Sequence, residues 1–172
     1  MLKIPGMILI LAGAWGMGFS EGRRLGKRVE EWRIILQMAG LLKGELRCAN
    51  ASLPEAFEAV SERMEGAYGS FLQGVSSKLK ECTGKSVEQI IRECMEEYLP
   101  GTYLRGEEKG ELILLGKHLG YLDLTVQIRQ IEIFEEQIRQ KIHQAQASLE
   151  EKKKLYQRLG ILGGFFLVIL MW

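Results

Sequence analysis

The amino-acid sequence predicts an all-α protein, about six helices in one bundle with a short transmembrane helix at each end. Three observations carry that prediction. Apolar residues recur at alternating steps of three and four along most of the chain, no stretch shows the two-residue alternation of a strand, and both end segments are uncharged. The 172 residues are 47% apolar and 26% charged, which suits one compact domain plus additional material, and three prolines leave little room for a Pro-rich linker.

The additional material is at the ends. Residues 4–19 and 159–172 are rich in Leu, Ile, Met, Phe, Gly and Ala and carry no charge. As helices they would be about 24 and about 21 Å long, short of the roughly 30 Å hydrocarbon core, so bilayer thinning or snorkelling Lys and Arg must make up the difference. For the first segment a cleaved signal peptide is the competing reading, with Lys3 as its positive start and Ala12-Gly13-Ala14 as its cleavage site. For the last, the competitor is a buried soluble helix.

Charge orients the chain. Arg23, Arg24, Lys27 and Arg28 follow the first apolar segment, and Lys152, Lys153, Lys154 and Arg158 precede the second. The positive-inside tendency then makes residues 21–158 a cytoplasmic helical domain with both termini outside, and the net charge of +1 conceals two basic collars at an anionic membrane surface. In the first segment Ala12 and Gly16, like Ala14 and Gly18, form a small-xxx-small stripe on which another helix could pack.

Within the domain, Leu25, Val29, Trp32, Leu36, Ala39, Leu42 and Leu46 mark a first helix from about Glu21 to Arg47, broken at Asn50 to Leu53. Ser52-Leu-Pro-Glu55 is a capping box with Pro54 in the first turn, and the helix it opens buries Leu53, Phe57, Val60 and Met64. Gly66 and Gly69 loosen the chain before a third stripe, Phe71, Leu72, Val75 and Leu79, which ends at Gly84. Ser86 to Gln89 repeats the capping pattern for a fourth helix with Val87, Ile90, Ile91, Cys94 and Tyr98 inward, stopped by Pro100-Gly101. A fifth helix carries Leu112, Leu115 and Leu119. The sixth, long helix carries Leu124, Ile128, Ile131, Phe134, Ile138, Ile142, Ala145, Leu149 and Tyr156, with Glu135 to Arg139 and Glu150 to Lys154 spaced as i,i+4 pairs.

The turn between these last two helices organises the rest. Gly120 suits a left-handed C-cap because it has no Cβ, and Asp123 suits the N-cap of the long helix, where its carboxylate meets unpaired N–H groups and the positive end of the dipole.

Catalytic and metal-binding patterns are lacking. There is no phosphate-binding Gly-rich loop, no H-E-x-x-H and no G-x-S-x-G turn, so no enzyme, cofactor or metal is predicted. His118 and His143 stand on separate helices, and Cys48, Cys82 and Cys94 are read as reduced, buried thiols. Aromatic residues do not interleave with basic ones as a single-strand nucleic-acid binder needs. The Glu pairs at 30/31, 96/97, 107/108, 135/136 and 150/151 read as solvated helix faces, with Glu107 and Glu108, in a Gly-flanked loop, also candidates for meeting a basic partner.

This layout resembles the stage III sporulation protein AB family of endospore-forming bacteria. The resemblance rests on the short first span, its basic flank, the motif L-G-x-x-D-x-x-x-Q at Leu119, Gly120, Asp123 and Gln127, and the closing segment LGILGGFFLVIL. That family is similar to the F-type platform protein of type II secretion systems, whose cytoplasmic six-helix domains contact a secretion ATPase. The resemblance therefore implies a type II secretion F-domain-like fold and a platform component of the sporulation channel apparatus in the mother-cell membrane facing the forespore. A cytoplasmic ATPase and other channel proteins of the same operon are the implied partners. The secretion protein has two such domains and this chain one, which implies a homo-oligomer; the metal site of some secretion relatives finds no matching ligand set here. A stator-like spanner with a peripheral coiled coil, or a membrane-tethered adaptor, are the alternatives.

Overall fold

The computed structural model describes the backbone of residues 3–49, 51–120 and 123–171, and the side chains of residues 24–49, 51–120 and 123–148. Among the described residues there are six helices: α1 (Lys3–Cys48), α2 (Leu53–Ser61), α3 (Gly66–Lys80), α4 (Val87–Tyr98), α5 (Gly106–Leu119) and α6 (Leu124–Met171). No strand occurs among the described residues. The chain divides into two compact units, residues 1–29 with 140–172 and residues 30–139.

In the unit of residues 30–139 the short helices form a serial stack, α2 on α3, α3 on α4 and α4 on α5. Each buries its predicted stripe: Phe57 and Val60 from α2, Phe71, Leu72 and Val75 from α3, Ile90, Ile91 and Cys94 from α4, and Leu112, Leu115 and Leu119 from α5. α1 adds Trp32, Ile35, Met38, Ala39, Leu42 and Leu46, and α6 adds Ile131, Phe134 and Ile138. Full burial of a side chain such as Phe71 or Leu72 contributes about 1.5–3 kcal/mol. On α1 the buried face takes in Ile35 and Met38, while Leu36, assigned to it by spacing, is only half-buried.

Helix starts follow local chemistry. The Glu55 carboxylate accepts from the Ser52 hydroxyl at 2.7 Å and from the Ser52 backbone N–H at 2.9 Å, and the hydroxyl bond, then the backbone one, hold its carboxyl below the usual range. At α4 the box is reciprocal, Gln89 N–H to Ser86 Oγ at 3.3 Å and Ser86 N–H to Gln89 Oε1 at 3.1 Å. α3 begins at Gly66 itself, whose φ of +71° makes the turn out of α2, and Gly84 has φ +73°. Gly69 lies inside α3 and does not loosen it. A Cβ there would stand 2.1 Å from the Met64 carbonyl oxygen, so the α2 to α3 turn folds directly onto bare backbone.

Two readings are corrected. Cys48 and Cys82 are exposed and only Cys94 is buried, because Cys48 is the last residue of α1 and Cys82 lies just past the end of α3, while Cys94 is on the inner face of α4. α1 has no break between the first apolar segment and the helix predicted from Glu21, since it runs from Lys3 to Cys48. Among the described residues no helix is long and apolar enough to cross a membrane. The side chains of segments 4–19 and 159–172, with the small-residue stripe and the pair Glu150 and Lys154, lie outside the described residues.

Candidate functional site

The turn between α5 and α6 places the four motif residues together. Leu119 is 1% exposed at the last helical position of α5. Its carbonyl, one of the orphan acceptors at a helix C-terminus, takes a hydrogen bond from Gln127 Nε2 at 2.8 Å, a reach back across the turn from α6. Asp123 Oδ1 accepts from Thr125 N–H at 2.7 Å and from Val126 N–H at 3.4 Å, which is N-cap geometry. The left-handed Gly120 is corrected: its φ is −71° and ψ −6°, and its N–H still bonds to Gly116 O at 3.2 Å. With Gln127 serving the Leu119 carbonyl by side chain, the backbone need not reverse into the left-handed region there.

Glu107 and Glu108 are not in a loop but in the first turn of α5, and they face different surroundings. Glu107 is exposed, whereas Glu108 is 6% exposed and accepts from the Arg105 N–H at 2.8 Å. Glu108 is thus the reaching-back half of a capping box whose N-cap residue is not the usual Ser or Thr. As a basic partner's contact, only Glu107 is on the surface.

Two other glutamates read as solvated are also structural. Glu31 on α1 accepts from Thr102 Oγ1 at 2.5 Å and from Tyr103 N–H at 2.9 Å, latching the connection between α4 and α5 to α1. Tyr68 is buried beside this latch with its hydroxyl lacking a hydrogen bond of good geometry; burial, and then the Glu31 charge, push it up to about 12, with Thr102 offsetting a little. Glu135, 6% exposed, turns away from the predicted i,i+4 pairing with Arg139 and meets Lys43 of α1 at 2.6 Å.

Of the first collar, Arg24 and Lys27 are exposed and Arg28 half-buried. The side chains of Arg23, Lys152, Lys153, Lys154 and Arg158 lie outside the described residues. The exposed edge of α3 and α4 carries Lys78 bonded to Glu97 at 3.0 Å and Lys85 to Glu93 at 2.7 Å. These bonds lower both carboxyls and raise Lys78. Exposed pairs of this kind add little stability. An open groove of about 550 Å³ beside them is lined by Gln73, Gly74, Lys78, Glu81 and Tyr98 among others. Among the described residues no three His, Cys, Asp or Glu side chains are grouped to hold a metal ion. His118 is half-buried and His143 exposed. Burial pushes the Cys94 thiol up, away from reactive thiolate.

The arrangement is therefore a scaffold held by polar staples. Sequence reasoning missed Glu31, Glu135 and the cap role of Glu108, and only the Glu at the third position of α5 carried a local signal. The family profile of stage III sporulation protein AB matches residues 3–172. No curated protein matches the chain. A solved structure of stage III sporulation protein AB (SpoIIIAB) superposes with a TM-score of 0.63 at 15% identity, over 72% of this chain and 97% of that one.

Proposed function

The chain belongs to the stage III sporulation protein AB family, and from that premise we propose that it is a non-catalytic platform component of the channel apparatus between mother cell and forespore. In this reading the helical domain of residues 21–158 lies in the mother-cell cytoplasm and contacts a secretion-type ATPase of the same operon. Segments 4–19 and 159–172 anchor it in the membrane facing the forespore. The observation that carries the reading is the family match across residues 3–172, which takes in both apolar ends and the helices between them. The all-helical architecture of the described residues supports it, because the serial stack of α2, α3, α4 and α5 offers a folded helical surface to a soluble partner. A single domain per chain calls for more than one copy in the assembled platform.

The test is binding of the purified ATPase to the full chain reconstituted in lipid nanodiscs, with and without Glu107→Lys. Saturable binding with the wild type supports the platform reading, and weakening by the substitution assigns Glu107 to the contact. Absence of binding at micromolar ATPase contradicts it. The 48-residue length of α6 is the observation that favours the second reading, a stator-like spanner. That reading predicts small-angle scattering of an extended rod from residues 21–158.

A further inference from the structure

Lys43 and Glu135 are 92 residues apart in sequence and form a 2.6 Å ion pair between α1 and α6, with side-chain exposures of 24% and 8%. Its surroundings on the same helices are apolar: Ala39 and Leu42 are each 1% exposed, and Ile131, Phe134 and Ile138 lie between 0% and 5%. At Gly40 a Cβ would stand 3.4 Å from Glu135 Oε1, so the bare backbone gives the carboxylate its seat.

A buried ion pair contributes little compared with apolar side chains of the same volume, because desolvation offsets the attraction. What it adds is discrimination between alignments. Both helices carry apolar residues at steps of three and four, Trp32, Ile35, Ala39, Leu42 and Leu46 on α1 and Ile131, Phe134 and Ile138 on α6. Where two such stripes face each other, a slip of one turn exchanges apolar residues for similar ones, so spacing alone does not fix the alignment. The helices run antiparallel, since the start of α1 clusters with the end of α6. A slip of one turn in one direction then sets the Glu135 carboxylate against Ala39, with no cation. The same slip in the other direction offers it Arg47 but brings Lys43 level with Arg139, two like charges.

We infer that the Lys43 and Glu135 pair is a register pin, a conformational device that selects one alignment of α1 and α6 from several the apolar stripes would accept. The experiment uses the full chain with Cys48→Ser and Cys82→Ser, and with spin labels at Gln37→Cys and Gln137→Cys, two exposed positions on the two helices. Pulsed dipolar spectroscopy reads the distance between them. A single narrow distance is expected with the pair intact. Lys43→Met combined with Glu135→Met should add a second, resolved distance, that of helices slipped along their axes by about 5 Å, one helical turn. The swap Lys43→Glu with Glu135→Lys should restore the single distance, and it keeps the question answerable if the methionine pair fails to fold. An unchanged single distance in the methionine pair, or a mixture in the swap, would overturn the assignment.

Discussion

Between α3, α4 and α5 the chain brings helices together by removing side chains, whereas α1 is tied to distant parts of the fold by charged side chains. Gly74 of α3 lies under the Tyr98 ring, where a Cβ would be 2.6 Å from Cε2, and Gly116 of α5 receives Ile91, where a Cβ would be 2.6 Å from Cδ1. α1 instead sends Glu31 to Thr102 and Tyr103 and offers Lys43 to Glu135. The difference teaches that close contact and long-range placement use different chemistry. A missing Cβ fixes how near two helices approach, while a paired charge fixes which residues meet.

The comparison is tested first where the effect is largest. Lys43→Met leaves Glu135 buried without its cation and should cost about 3–5 kcal/mol in urea unfolding of the reconstituted chain, with most of the loss recovered on adding Glu135→Met. If the single and double variants melt alike, the pair is not acting through burial of an unpaired charge. On the glycine side, Gly69→Ala meets backbone at Met64 and should cost about 3 kcal/mol, more than Gly74→Ala, because the Tyr98 ring can rotate away and a carbonyl cannot. Equal losses at the two glycines would mean that shape does not set the packing.

The Glu31 latch gives a third, pH-dependent handle through Tyr68. A hydroxyl whose folded-state value lies near 12, against 10.0 when unfolded, keeps its proton in the fold longer than in the open chain. Its contribution is complete below pH 10 and is lost as pH rises toward about 12, amounting to about 2 kcal/mol. Tyr68→Phe should remove that part of the alkaline loss. An identical alkaline profile would place the hydroxyl in contact with water.

The smallest effects separate the two halves of the α5 to α6 turn. Asp123→Ala should lose about 1 kcal/mol with the cap. Gly120→Ala should be neutral or stabilise by up to about 1 kcal/mol, since the backbone is already right-handed and the nearest atoms to a new Cβ are 3.5 Å away. A large loss at Gly120 would restore the left-handed cap that the sequence suggests.

Those two residues also show what was legible. Asp123, Ser52 and Ser86 act within three residues of themselves, so spacing alone places their bonds. The apolar stripes were legible for the same reason, because periodicity is a property of one helix at a time. Gly120 was misread because its conformation depends on Gln127, a side chain beyond the turn. Glu31 and Glu135 were read as solvated because their partners are 71 and 92 residues away, and nothing near them in sequence marks a carboxylate engaged across the fold. Gly69, Gly74 and Gly116 carried no sign of what would press on them.

The proposed platform role depends on which side of a membrane the helical domain occupies. A reporter enzyme active only outside the cytoplasm, fused in sporulating cells after Trp172 and, separately, inserted near Gly84, measures this directly. The account predicts activity at Trp172 and silence at Gly84; activity at Gly84 with silence at Trp172 would contradict it.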